Sequence, residues 1–110
     1  MNIKDYETSG GKNLITEYLN RLSNAEKAVG YTIRDTIERE GVVALKSLNT
    51  RQLRGKLWEI KFSNNRIMYV VQDKDSIYFL HACKKQKGKA EKIDINKALN
   101  RAKRNGLKVD

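Results

Sequence analysis

The chain has 110 residues, and its 23 Lys and Arg against 13 Asp and Glu give a net charge of +10. This length fits a single domain over residues 1–110 with a modest core, and the positive excess favours a polyanionic partner, either nucleic acid or an acidic protein. The lone Cys83 excludes an intramolecular disulfide. No apolar run approaches the ~20 residues of a membrane span and no signal segment follows Met1, so we expect a cytoplasmic protein.

The positive charge is concentrated near the end of the chain. Lys84–Asp110 contains ten Lys and Arg against three acids, a net +7, which leaves +3 for the residues before it. No proline, repeat or linker marks a boundary inside the chain. The last quarter therefore supplies most of any surface that binds a polyanion.

The first elements in chain order are a weak strand and a helix. A short strand is predicted over Asn2–Thr8. Apolar residues with helical spacing follow from Leu14 to Leu22, and Asn13 is placed to cap that helix. Ser23 or Asn24 can cap a second helix.

The second helix is predicted from its apolar stripe, which runs from Ala25 to Ile37 and ends before Gly41. The two helices are close enough in sequence to form an antiparallel hairpin. The apolar positions within Val43–Leu48 do not indicate a particular element.

Three strands joined by tight turns are predicted in the middle of the chain. The strands are Leu57–Phe62, Arg66–Gln72 and Ser76–Cys83, and the turns are Ser63–Asn65 and Asp73–Asp75. The third strand is apolar on both faces, which is typical of a central strand with structure packed on each side. This order predicts an antiparallel meander.

The strand Leu57–Phe62 separates apolar from charged residues by its period of two. Trp58 and Phe62 share one face, which we expect to be buried against the helices, while Glu59 and Lys61 share the other. Arg66 on the next strand can join them there. This charged face is either solvated, or it is a phosphate-binding surface bordered by the basic segment after Cys83.

A last helix is predicted from Glu91 or Lys92 to Arg104, closed by Asn105-Gly106. The sequence therefore predicts an α+β fold with an N-terminal helical hairpin, a small antiparallel or mixed sheet and a C-terminal helix, with the helices laid on one sheet.

Several short motifs resemble those of one protein family. Leu53–Ile60 contains a Leu-Trp-Glu strand, Arg66–Tyr69 an Arg-Ile-Met-Tyr strand and Phe79–Ala82 a Phe-Leu-His-Ala strand. The basic run Lys85–Lys89 and the helix start Asp94–Ala98 follow in order. Together they resemble the RelE/HigB superfamily of type II toxin–antitoxin toxins, in particular its HigB-like, phage-related branch.

Two positions depart from the pattern of that branch. Gln86 stands where the second lysine of a basic pair is usual, unless Lys84 and Lys85 form that pair shifted by one. Glu91 stands where a proline is usual. These departures affect the placement of the basic loop more than the fold.

The resemblance implies an endoribonuclease that cleaves messenger RNA, often on the ribosome, and inhibits translation. This cleavage can proceed without a cofactor or metal, and no His/Cys cluster in the sequence has metal-ligand spacing. The resemblance also implies a cognate antitoxin, encoded by an adjacent gene and of the helix-turn-helix kind. On this reading the cations that bind RNA are Lys84, Lys87, Lys89, Lys56 and Arg54.

Metal-independent RNA cleavage needs groups that move protons and stabilise charge on phosphorus. Arg66 suits the phosphate because a guanidinium is always charged and binds phosphate through two hydrogen bonds. Lys85 could add charge or act as an acid, and Lys61 could act as a base if neighbouring cations lower its pKa. Glu59 is either a base or a partner of Arg66, and His81 is a further candidate.

Each candidate also has a purely structural interpretation. Arg66 could simply pair with Glu59, Lys84–Lys89 could be a solvated loop, and His81 could be a hydrogen-bonded residue at the edge of the core. We assign Tyr69 to the core because an odd number of positions separates it from Arg66.

Two other functions are compatible with the same resemblance. One is a ParE-like toxin that inhibits DNA gyrase or another topoisomerase by protein contact. The other is a non-catalytic, phage-derived binding module. Acid–base groups beside Arg66 favour the ribonuclease over both.

Overall fold

The computed structural model describes all 110 residues as three helices and a five-stranded sheet. None of the helices is long and apolar enough to cross a membrane. A short 3-10 helix, Gly41–Ser47, connects the second helix to the second strand. The strands are β1 Asn2–Asp5, β2 Thr50–Arg54, β3 Leu57–Phe62, β4 Asn65–Asp73 and β5 Ser76–Lys84, and the helices are α1 Leu14–Asn20, α2 Asn24–Glu40 and α3 Lys89–Arg104.

The helix boundaries follow the predicted capping residues. The Asn13 side chain accepts hydrogen bonds from the first backbone N–H groups of α1, and Ser23 rather than Asn24 caps α2. Gly41 ends α2 with a φ of 76°, a conformation that favours glycine. These predictions are confirmed, and α3 begins slightly earlier than predicted, at Lys89.

The sheet is mixed, with the strand order β1-β5-β4-β3-β2. Strands β2 to β5 form the predicted antiparallel meander, extended by one strand, and β1 pairs in parallel with β5. The central position of β5, between β1 and β4, confirms the interpretation of its apolar pattern. The α+β class with a mixed sheet is thus confirmed.

Helices cover both faces of the sheet, and on the charged face Glu59 and Arg66 are buried rather than solvated. Helices α1 and α2 cover the face of Ile60 and Phe62, whereas α3 packs over Leu57, Met68 and Leu80 on the other. Burial of those three residues needs a second apolar layer. The larger core contains Ile15, Leu19, Ile33, Ile37, Ala44, Leu45, Ile60, Phe62, Ile67, Tyr69, Ile77 and Phe79, and the smaller one Leu57, Met68, Val70, Leu80, Cys83, Ala98 and Ala102.

Trp58 is half-exposed, which corrects the prediction that it lies in the core. It shares a face with Ile60 but lies nearer the start of β3, in a shallow groove with Val42 and Lys46 rather than beneath α1 and α2. Its residue surface is 37% exposed, against 0% for Ile60. Tyr69, by contrast, is in the core as predicted.

An irregularity in β5 changes which side chains share a face. Tyr69 pairs with Phe79 and Met68 pairs with His81, so Leu80 is an extra residue between them. Phe79 consequently packs with the larger core, whereas His81 turns toward α3. On a regular strand Phe79 and His81, two residues apart, would share a face, and the extra residue separates them.

The different burial of Ile60 and Trp58 predicts different losses of stability. Ile60→Ala should reduce the free energy of unfolding by about 2–5 kcal/mol because it leaves a cavity in the larger core. Trp58→Ala should cost less than about 2 kcal/mol because part of the indole is already in water. Urea denaturation of both variants measures this, and equal losses would contradict the placement of Trp58.

Candidate active site

Four charged side chains meet on the α3-facing side of the sheet, near the end of β3. Arg51 of β2 lies opposite Glu59 of β3, and Lys61 lies opposite Arg66 of β4. Because Glu59 and Lys61 are two residues apart on one strand, all four side chains point to the same face. Three neighbouring strands therefore build one cluster, which includes the three residues predicted to share this face.

Arg66 is the buried centre of this cluster, with a side chain only 3% exposed. Its Nε lies 3.4 Å from Glu59 Oε1, and its Nη2 donates a hydrogen bond of 3.0 Å to the carbonyl of Gln86. Nη2 also lies 3.5 Å from Glu91 Oε2. The guanidinium is thus held in place between the sheet and the segment that leads into α3.

Glu59 is fully buried and surrounded by cations. Its Oε2 lies 2.9 Å from Arg51 Nε and 3.9 Å from Lys61 Nζ, in addition to the Arg66 contact on Oε1. Neither carboxylate oxygen receives a well-aligned hydrogen bond, so the attraction is mainly between charges. A carboxylate in this position holds Arg51 and Arg66 in place, which favours the interpretation of Glu59 as a partner of Arg66.

Glu91, in the first turn of α3, completes the cluster. Arg51 Nη2 donates a hydrogen bond of 2.8 Å to Glu91 Oε1, while Arg66 approaches the other oxygen. Burial raises the pKa of Glu91, but the hydrogen bond and charge of Arg51 and the charge of Arg66 outweigh it and hold the pKa below its ordinary value. Glu91 is therefore an ionised bridge between two arginines.

The basic segment Lys84–Lys89 starts beside this cluster. Lys84 lies opposite Asn65, next to Arg66 in sequence, and the backbone N–H of Lys85 donates to the carbonyl of Asn64 at 2.8 Å. All four lysines of the segment are exposed: Lys84, Lys85, Lys87 and Lys89. The structure thus brings the predicted basic segment next to Arg66.

Arg54 and Lys56 lie away from the cluster, at the opposite end of β3. Leu57 and Lys61 are four positions apart on β3, which is about 13 Å at ~3.3 Å per residue. Arg54 lines a groove with the C-terminal end of α3, and Lys56 lines the groove of Trp58 on the other face of the sheet. The structure does not join these two predicted RNA-binding residues to Arg66.

His81 is buried in a separate hydrogen-bonded group with α3. Its Nε2 lies 2.8 Å from Asp94 Oδ1, and its Nδ1 lies 3.1 Å from Arg101 Nη1. Burial lowers the pKa of His81, and the hydrogen bond to Asp94 raises it. The positive charges of Arg101 and Lys97 lower it further, so the net shift is downward. Both ring nitrogens are engaged, which favours the structural interpretation of this histidine.

His81, Cys83 and Asp94 are a group that could hold a metal, because their ligand atoms lie within 4.8 Å of one another. The spacing in sequence did not reveal this group, since Asp94 comes from α3. A histidine that binds a metal through Nε2 carries a proton on Nδ1, yet Nδ1 faces the donor Arg101. Burial also raises the pKa of the Cys83 thiol to about 12. The residues therefore fit a hydrogen-bonded group around a neutral imidazole better than a metal site.

Sequence reasoning missed Arg51 and the role of Glu91. Arg51 lies in β2, whose residues Thr-Arg-Gln-Leu-Arg show no clear alternation of apolar and polar positions. The sequence indicates Glu91 only as a candidate start of the last helix and as a departure from a family pattern. Its position in the first turn of a helix, after a basic segment, was the available signal.

Comparison with known proteins agrees with the fold and with part of the sequence interpretation. A family model described as phage-derived protein Gp49-like (DUF891) matches residues 17–103, a range that includes every member of the charged cluster. One solved structure, titled "Crystal structure of archaeal RelE-RelB complex from Pyrococcus horikoshii OT3", contains a chain similar to this one in fold. The TM-score is 0.57 and the identity 18%, over 80% of this chain and 100% of that chain. A search of curated proteins finds no match.

The environment of His81 predicts a pH-dependent stability. The folded state holds the pKa of His81 below that of the unfolded chain, so on acidification the unfolded state binds the proton first. The free energy of unfolding should keep this contribution at pH values above the ordinary histidine pKa of ~6.5. At lower pH it should decrease, by at most about 1.4 kcal/mol per pH unit. Urea denaturation between pH 7.5 and pH 5 measures this slope.

His81→Gln is the matched control because the chain has one histidine. The variant should show a flat stability between pH 7.5 and pH 5, before the carboxylates titrate. Equal slopes in the two proteins would show that the buried imidazole is not the group that titrates.

Proposed function

The chain belongs to the phage-derived Gp49-like family, a RelE/HigB-like toxin family, and on this premise we propose that it is the toxin of a type II toxin–antitoxin system that cleaves messenger RNA. It acts as a metal-independent endoribonuclease in the cytoplasm, on messages bound to the ribosome, and so inhibits translation. The observation that supports this most is the buried, preoriented guanidinium of Arg66 beside the exposed lysines of Lys84–Lys89.

The fixed position of Arg66 matters because preorganised charge stabilises a transition state without reorganisation cost. Contacts with Glu59 and the carbonyl of Gln86 hold the guanidinium from two sides. Arg51, whose side chain is 43% exposed, leads from this buried centre to solvent. A phosphate can therefore reach the cluster from the side of Arg51 and the basic segment.

The proposed reaction is an internal transfer at phosphorus. The 2′-oxygen of the ribose forms a bond to the adjacent phosphorus as the bond from phosphorus to the 5′-oxygen breaks. The 2′-hydroxyl loses its proton to a base and the leaving 5′-oxygen gains one from an acid. The products are a 2′,3′-cyclic phosphate and a 5′-hydroxyl end.

We assign each step to a residue of the cluster or of the basic segment. Arg66 binds the non-bridging phosphate oxygens as charge develops on them. Lys61, directly across from Arg66, takes the base role, and Lys85 of the exposed segment takes the acid role. Glu59 positions Arg66 in this scheme. His81 stays outside it because Asp94 and Arg101 engage its ring nitrogens.

The RNA strand follows the exposed lysines Lys84, Lys85, Lys87 and Lys89, which lie next to one another before and at the start of α3. Several cations along one exposed segment can contact successive phosphates of a single strand. Arg54 and Lys56 are left out of this path because they lie at the other end of β3.

The proposed protein partner is a cognate antitoxin of the helix-turn-helix kind, encoded next to this gene. Two observations support it: the family of this chain, and the fold shared with a protein whose structure is titled as a complex of RelE with RelB. The excess of positive charge also favours an acidic partner.

Replacing Arg66 tests the proposed site. Arg66→Lys keeps the charge that compensates buried Glu59 but loses the planar pair of donors, and cleavage of messenger RNA should fall by ~10²–10³ in rate. Arg66→Ala is less informative because it leaves a buried carboxylate short of a partner and should destabilise the fold. The measurements are growth arrest on induction and mapping of RNA 5′ ends.

Arg39→Lys is the matched control, since this exposed arginine of α2 pairs only with Asp35. It should cleave RNA at the wild-type rate. If folded Arg66→Lys also cleaves at that rate, the assignment of Arg66 fails. Growth arrest with intact RNA and DNA damage in all variants would favour the topoisomerase inhibitor instead.

A second prediction concerns the path of the RNA. Lys85→Ala should weaken binding of an uncleavable 2′-O-methyl oligoribonucleotide and reduce the slope of log affinity against log salt by about 0.7, one phosphate contact on a single strand. Fluorescence anisotropy over a range of salt concentrations measures both. Lys74→Ala, in the turn at the other end of β4, should change neither. A slope unaltered by Lys85→Ala would remove this lysine from the path.

A further inference from the structure

The Glu91 carboxylate occupies the space between two guanidinium groups. Its Oε1 accepts a hydrogen bond of 2.8 Å from Arg51, and its Oε2 lies 3.5 Å from Arg66. A carboxylate presents two anionic oxygens to two arginines here, as a phosphodiester presents its two non-bridging oxygens. The same pair of arginines therefore suits either anion.

The two carboxylates of the cluster differ in how firmly they are held. Glu59 projects from β3, an interior strand of the sheet, and has no exposed side-chain surface. Glu91 projects from the first turn of α3, directly after the exposed segment Lys84–Lys89, and its side chain is 22% exposed. Glu59 is thus a fixed part of the cluster, whereas Glu91 can turn into solvent without moving the sheet.

The charge balance of the cluster also allows a phosphodiester to replace the Glu91 carboxylate. Arg51, Lys61 and Arg66 carry three positive charges, and Glu59 and Glu91 carry two negative ones. A phosphodiester has a single negative charge, so replacing the Glu91 carboxylate by one leaves the balance of the cluster unchanged. A phosphate that entered beside Glu91 would instead meet a like charge.

We propose that Arg51 and Arg66 form a two-arginine clamp for a phosphodiester, and that Glu91 closes this clamp in the free protein and is displaced when the RNA binds. This rests on the proposed function for the identity of the substrate. It makes Arg51 a second phosphate-binding residue and makes Glu91 a built-in competitor that lowers the affinity of the free protein for RNA.

Glu91→Gln tests the proposal because it keeps the size of the side chain and removes its charge. Affinity for a fluorescein-labelled 2′-O-methyl oligoribonucleotide, which cannot be cleaved, should rise about five- to tenfold at fixed salt. Arg51→Gln should lower the affinity. In the double variant the gain from Glu91→Gln should largely vanish, because Glu91 competes only when both arginines form the clamp.

Glu38→Gln is the matched control, since Glu38 is an exposed residue of α2 with no ion pair and its loss changes the net charge equally. It should leave the affinity near the wild-type value. An equal gain in Glu38→Gln and Glu91→Gln would reduce the effect to overall charge and overturn the clamp. A loss of affinity in Glu91→Gln would show that Glu91 holds the cluster together rather than competing.

A second measurement does not depend on any variant folding. Titration of the wild-type protein with inorganic phosphate should shift the NMR signals of the Nε–H groups of Arg51 and Arg66 together, with one saturation curve. Unmoved signals, or a shift of Arg51 alone, would overturn the two-arginine site.

The clamp and the proposed ribonuclease can fail separately. If the wild-type protein leaves messenger RNA intact but the affinity changes follow the prediction, the clamp stands and the activity is wrong. If messenger RNA is cleaved but Glu91→Gln and Arg51→Gln bind the oligonucleotide like the wild type, the activity stands and the clamp is wrong.

Discussion

The ion pairs of the buried Glu59 are the constraint on which the rest of the site depends. Arg66 is almost without solvent contact, and an uncompensated charge at that depth would cost several kcal/mol. Glu59 neutralises it from inside the sheet and at the same time orients Arg51 from the neighbouring strand. The registers of β2 with β3 and of β3 with β4 therefore determine where both guanidinium groups lie. The Arg66 guanidinium is held in place here because the buried Glu59 carboxylate lies beside it.

The position of α3 divides the second face of the sheet into two chemically different parts. Toward its C-terminal half, α3 buries Leu57, Val70 and Leu80 under Ala98 and Ala102. Toward its start, the helix lies over charged residues and contributes Glu91 instead of an apolar side chain. Negative charge in the first turn also suits the helix dipole. One helix thus seals the smaller core at one end and borders the charged cluster at the other.

Much of the fold and part of the site could be predicted from local pattern. The period of two placed Glu59 and Lys61 on one face, and capping residues placed α1 and α2. The pattern could not show Arg51, because β2 is a short edge strand whose polar residues need no apolar alternation. Nor could it show that His81 turns away from Phe79, since one extra residue in β5 reverses the faces without any glycine or proline to mark it. Contacts between distant elements, such as Asp94 with His81, leave no periodic signal at all.

A fold that buries an arginine must compensate its charge even when no anionic ligand is bound. Solvent can hydrate an exposed lysine, as it does along Lys84–Lys89, but it cannot hydrate Arg66. Counter-charges must therefore come from the chain itself, and each one reduces the attraction of the cluster for any other anion. The size of this reduction depends on where the counter-charge is placed. Glu59 is fully buried on the sheet, and it orients the guanidinium groups of Arg51 and Arg66. On the first turn of a helix beside an exposed segment, Glu91 stabilises the free protein and is the one anion of the cluster with access to solvent.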